Sequence, residues 1–173
     1  MTLSRGLFRR WALPLVALVS LIGVTRAHES DPRAAHVTAL YQRYAWELLI
    51  LNGPIRPLAA QGRQELERWF TRELADAIAA DRHCVELRHE ICRLDFAMLW
   101  GSQDPNVAEV QVRSLAPTTV RVLLKAPSGS ASPQPSHVDA RVVQTVKGWR
   151  IADLAYSGSD ASLHQKLTAP LPR

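Results

Sequence analysis

The side chains best able to do chemistry in this chain crowd into ten positions. His83, Cys84, His89 and Cys92 offer two imidazoles and two thiols within one short stretch. Nitrogen and sulfur donors at that density suit zinc or copper. The spacing, His83-Cys84-x4-His89-x2-Cys92, fits no known zinc finger, and a lone cysteine pair in an oxidising compartment forms a disulfide instead. On that reading the metal site is empty of meaning and no cofactor is expected. Helix geometry adds a condition. Eight residues along one continuous helix separate two Cα atoms by about 12 Å, whereas a disulfide needs them within about 7 Å. A Cys84–Cys92 bridge therefore predicts a break or tight turn between the two cysteines.

Two acids form the second group. Asp95 or Asp104, with Gln103 beside it, would serve as a general base if burial at the mouth of a cavity raised its pKa. The plainer alternative has Asp95 capping a short turn and Gln103-Asp104-Pro105 leading into a strand. Tyr41, Tyr44 and Trp100 are aromatic candidates for lining a ligand pocket, together with Gln103, or else for filling the core. His36, His137 and His164 stand alone, and Asp153 reads as a surface or bulge residue. The eight glycines are scattered, so no phosphate-cradling loop is present.

Those residues need elements to position them, and the first 27 residues are not among these. Arg5, Arg9 and Arg10 precede fifteen residues without charge from Trp11 to Thr25, and Thr25-Arg26-Ala27 follows with small residues flanking Arg26. This reads as a secretory signal peptide cleaved after Ala27. The apolar run would span roughly 22 Å as a helix, short of the roughly 30 Å hydrocarbon core, which disfavours an uncleaved anchor. Arg9-Arg10 leaves a twin-arginine export route open. Export places the protein in the periplasm or outside the cell. It also changes the charge balance. The chain carries 21 basic and 16 acidic residues, and four of the arginines but none of the acids lie in residues 1–27. That leaves 17 against 16, a balance of +1, and nucleic acid is excluded as a partner.

Residues 28–173 suit one domain with one core. Asp31-Pro32 starts a helix, and Val37, Leu40, Tyr41, Tyr44, Leu48 and Leu51 recur at helical spacing until Asn52-Gly53-Pro54. A second helical stretch begins near Gly62, with Thr71 able to cap a fresh turn within it. Residues 81–104 read as a short helix and a loop. After Pro105 the period changes to two. Val110 and Val112, Val120 and Val122, Val138 and Val142, and Trp149 and Ile151 mark four half-buried strands in an antiparallel meander, with a tight turn at Lys147-Gly148. Residues 127–136, rich in Pro and Ser, form a flexible loop, and a short helix spans about 162–167. Helices followed by strands predict an α+β fold, the helices packed on one face of a curved antiparallel sheet.

Four stretches in this order resemble the DUF3828 family of secreted bacterial proteins: Leu40-Tyr41-Gln42-Arg43-Tyr44, Trp69-Phe70-Thr71-Arg72-Glu73-Leu74, Leu94-Asp95-Phe96 leading to Gly101-Ser102-Gln103-Asp104-Pro105, and Gly148-Trp149-Arg150-Ile151-Ala152-Asp153-Leu154. They cover about residues 34–167. The resemblance implies an NTF2-like cone and carries no activity with it. The chain lacks the proline that often follows Asp95-Phe96 in such proteins. The expected function is a non-catalytic module binding a small ligand, a peptide, a cell-wall fragment or an envelope protein. An envelope inhibitor or immunity-type protein, and a cone enzyme using an aspartate base, are the alternatives.

Overall fold

The computed structural model describes residues 31–48, 56–130 and 137–171. The proposed signal peptide, Leu51, the Asn52-Gly53-Pro54 stop and most of the Pro/Ser loop lie outside these residues.

Helix α1 runs Pro32–Tyr44. Asp31 caps it by accepting a hydrogen bond from the Arg33 backbone N–H at 3.0 Å, and Pro32 occupies the first turn, where its missing N–H costs nothing. Val37, Leu40, Tyr41 and Tyr44 form its buried stripe. The predicted α-helix to Leu51 is shorter in the structure. Winding tightens to a 3-10 turn at Ala45–Leu48, where Glu47, on the stripe's own face, reaches inward to accept from the Leu58 N–H at 2.7 Å.

The second helical stretch divides where Thr71 stands. Helix α2 is Arg63–Trp69 and α3 is Arg72–Arg88. Thr71 caps α3 by accepting from the Leu74 N–H. Between the helices Phe70 is extended and bridges to Ile151, and the Thr71 N–H donates to the Ile151 carbonyl at 2.9 Å. Helix α3 is longer than the sequence indicated. It stops at His89, which takes the left-handed conformation at φ 57°. A residue with a Cβ pays for that conformation, and His is among the types that tolerate it better.

Strands β1 (Glu109–Ala116), β2 (Thr119–Lys125), β3 (His137–Thr145) and β4 (Gly148–Tyr156) form one antiparallel sheet in the order β1-β2-β3-β4. The fold is thus α+β, with helices on one face of a sheet that is curled but not closed. Val120, Val122 and Leu124 of β2 and Val138, Ala140 and Val142 of β3 are buried against the helices. The opposite face is charged: Arg121 grips Asp139 with two bonds of 2.7 Å, and Lys125 meets Glu109 at 3.0 Å. Opposite Arg141 and Val142 the register skips Ala152, a bulge that moves the buried parity of β4 from Ile151 to Leu154 and Tyr156. Bulges bend a strand and increase its twist, which curls the sheet here.

The tight turn falls one residue earlier than expected. Val146 and Lys147 form it, and Gly148, at φ 94°, opposes Thr145 as the first residue of β4. The positive φ required just after the turn places the glycine there. Helix α4, Leu163–Thr168, begins with a capping box between Ser162 and Gln165 and packs on the end of α3 and β4. No helix among the described residues is long and apolar enough to cross a membrane.

Candidate functional site

Cys84 and Cys92 are joined in a disulfide, with Cα atoms 6.2 Å apart. The break that geometry demanded is the left-handed cap at His89, which reverses the chain. Asp81 secures the same reversal from inside. It is 3 % exposed, and its carboxylate accepts from the Arg93 N–H at 2.9 Å and the Leu94 N–H at 3.3 Å. Asp81 was missed as a site residue. Its signal is legible in hindsight: it continues the buried spacing of Leu74, Ala75 and Ile78, where an acid must find internal donors. With both sulfurs oxidised, the metal reading loses its thiolates. His83 and His89 are both exposed, and among the described residues no group of three His, Cys, Asp or Glu could hold a metal ion.

The pocket candidates divide by burial. Tyr41, Tyr44 and Trp100 are core residues, at 3 %, 0 % and 0 % exposure. Their polar tips are used internally. Tyr41 Oη donates to the Leu99 carbonyl at 2.7 Å, Tyr44 Oη to Glu65 at 3.3 Å, and Trp100 Nε1 to Glu47 at 3.3 Å. Trp100 stands edge-on to Tyr41 with centroids 5.3 Å apart, and Tyr156 Oη donates to the Met98 carbonyl at 2.7 Å. These rings belong to the buried core between the helices and the sheet. Burial drives the phenols of Tyr41 and Tyr156 far above their ordinary range. Burial, with the charge of Glu65, pushes Tyr44 up to about 12. Burial likewise raises Glu47, against the pull of the Leu58 and Trp100 donors.

Gln103 is exposed and donates to Asp95 at 3.3 Å, so it belongs to a surface loop. Asp95 and Asp104 are exposed on that loop as well. A general base of the expected kind needs a carboxylate sunk in a cavity, and neither acid has that burial. Asp153 lies at the bulge. It accepts from the His164 N–H at 2.9 Å and so anchors α4 to β4.

A cavity of about 340 Å³ lies elsewhere, between the α2–α3 joint and the β3–β4 turn. Phe70 and Thr71 form its floor, Val146 its exposed rim, and Arg72, Lys147, Arg150 and Glu67 its charged wall. Glu67 is the hub, 3.1 Å from Arg63, 3.4 Å from Lys147 and 3.7 Å from Arg72. Lys147, then Arg63 and Arg72, hold its carboxyl below the usual range. Arg150 is braced by donating from Nε to the Glu67 carbonyl at 2.7 Å and from Nη1 to the Trp149 carbonyl at 2.6 Å. Three cations thus line the cleft against one carboxylate. Sequence reading could not find this site, because its two walls lie some 75 positions apart and the stretches that contain Phe70, Thr71, Arg72 and Arg150 carry no binding signature.

Compared with family models, characterised proteins and solved structures, the chain matches none of them.

Proposed function

We propose that this protein is a non-catalytic binding module of the DUF3828, NTF2-like type, exported to the periplasm or beyond. Its disulfide is compatible with an oxidising compartment. The observation that carries the reading is the open, cation-lined cleft, set beside a core in which Tyr41, Tyr44 and Trp100 are buried and hydrogen-bonded internally. The cleft offers Arg72, Lys147 and the braced Arg150 on an accessible surface. Such a cleft accepts an anionic group, with Val146 supplying apolar contact at the rim.

The test is an amide chemical-shift titration with a short acidic peptide and, separately, inorganic phosphate. Saturable shifts at Thr71, Arg72 and Lys147, abolished in an Arg72→Glu/Lys147→Glu variant, support the reading. Shifts absent from these amides with both probes refute it.

A second reading, the envelope inhibitor, has its own observation. Val85, Leu87 and Ile91 are 37 %, 68 % and 68 % exposed around the disulfide. Apolar side chains held on a stapled turn suit a protein contact. On that reading, Leu87→Asp/Ile91→Asp removes partner binding, and the cleft variant leaves it intact.

A further inference from the structure

The two edges of the sheet are unlike. On the β4 side, the Phe70–Ile151 bridge and the Thr71 N–H to Ile151 carbonyl bond bring the helical joint against the strand. The β1 edge has no main-chain bridge of that kind among the described residues; only at its far end does Arg33 donate to the Ala116 and Pro117 carbonyls, and Ser114 to Asp31. Its outward backbone groups follow from the ladder. The Val142 N–H donates to the Thr118 carbonyl, so Thr118, Val120, Val122 and Leu124 turn their main-chain groups toward β3. Thr119, Arg121, Leu123 and Lys125 then turn theirs toward β1, where their partners are Arg113, Gln111 and Glu109 for the last three. Alternation leaves the N–H and C=O groups of Val110 and Val112 pointing away from the sheet, without a partner among the described residues.

An unpaired edge is a template for another strand. The side chains specify which strand. Arg113 sits opposite Arg121, a like-charge pair, and Arg121 is already committed to Asp139. Arg113 has no acidic partner among the described residues, so an added strand that set a carboxylate beside it would relieve the repulsion.

We propose that the β1 edge pairs antiparallel with β1 of a second copy of this chain, about a two-fold axis through Gln111. In that register Val110 faces Val112 of the partner subunit, so the unpaired main-chain groups exchange hydrogen bonds. Glu109 faces Arg113 of the partner subunit, twice by symmetry. Shifting the centre to Val112 puts Glu109 opposite Leu115 of the partner subunit, and shifting it to Arg113 puts two arginines face to face. Only the Gln111 centre joins opposite charges while keeping valine against valine on the helical side. The result is one continuous sheet of eight strands, four from each copy.

Sedimentation velocity on the oxidised protein, over concentrations up to about 500 μM, tests the pairing. The expected result is a concentration-dependent doubling of mass. Glu109→Arg and Arg113→Glu each place like charges opposite one another at both symmetric positions and should raise the dimer Kd about tenfold or more. The double variant exchanges the charges and should restore Kd to within about threefold. Val112→Pro removes an outward N–H and leaves the bonds to β2 in place, so it should yield a folded monomer, with circular dichroism as the folding check. A single mass across the whole range overturns the proposal. So does a dimer indifferent to the single reversals, or a double variant that stays monomeric.

Discussion

Asp81→Ala should be among the most damaging single substitutions in this protein, although the residue touches no cleft. The carboxylate is 3 % exposed and takes two backbone donors, Arg93 N–H at 2.9 Å and Leu94 N–H at 3.3 Å. A buried donor left without an acceptor costs about 1–3 kcal/mol. Two of them, the second held by the longer bond, give an expected loss of about 3–4 kcal/mol. Asp81→Asn keeps one carbonyl oxygen but turns an NH₂ group toward the other donor, so about half that loss is expected. Urea denaturation followed by tryptophan fluorescence reads the difference. With an m-value of about 2 kcal/mol/M, the alanine variant's midpoint falls by about 1.5–2 M and the asparagine variant's by about 1 M. Hydrogen exchange supplies the local check, because the Arg93 and Leu94 amides should lose protection before the sheet does. A midpoint shift below about 0.5 M for Asp81→Ala, with those two amides still protected, would refute the reasoning.

The disulfide closes the same reversal from outside, over nine residues, and chain entropy assigns it about 2.5 kcal/mol. Cys84→Ser/Cys92→Ser should therefore lower the melting temperature by about 10 °C, and combined with Asp81→Ala it should depart from additivity because both changes release one loop. His36 gives a pH signature. Its Nε2 lies 3.1 Å from the Trp69 carbonyl, and burial chiefly, with Arg150 nearby, lowers its pKa below 6.5. The folded state thus prefers the neutral ring, the unfolded state binds more protons below pH 6.5, and stability should fall as pH drops from there toward the lowered folded value. Comparison of denaturation midpoints at pH 7.5 and about 5 checks this, and His36→Gln should remove part of the decline.

How much of this was readable without coordinates depends on how local the cause is. The Asp31 cap, the Tyr41–Tyr44 stripe, the Thr71 cap and the valine alternation of β2 and β3 were legible, because each rests on neighbours within a turn or a strand. The need for a break between Cys84 and Cys92 was legible too, since it follows from helix rise alone. Its place was not: a left-handed histidine is a tolerated exception with no composition signal. The bulge at Ala152 leaves a trace, since Ile151 and Leu154 are three apart rather than two, but a parity change names no purpose. Tyr41 and Tyr44 were legible as aromatics on the apolar face of the first helix, and Trp100 as a ring for a pocket or the core. The partners of their polar tips, the Leu99 carbonyl, Glu65 and Glu47, stand 58, 21 and 53 positions away and were not legible. The cleft was invisible for a related reason, since Glu67 becomes a hub only when the β3–β4 turn brings Lys147 to it.

The joint at Phe70, a helical connection bonded to the rim of β4, bears on how far this protein can assemble. Cross-β growth needs a receptive strand at both ends of every unit, so that each addition exposes the next docking place. Here Ile151 is already occupied by the chain's own Phe70 and Thr71. A monofunctional reagent in polymer chemistry shows the consequence of blocking one end: coupling at the other consumes it and terminates the reaction. At Ile151, therefore, no strand can be added without first displacing the chain's own Phe70 and Thr71, so growth through this edge meets an obstacle that pairing at β1 does not.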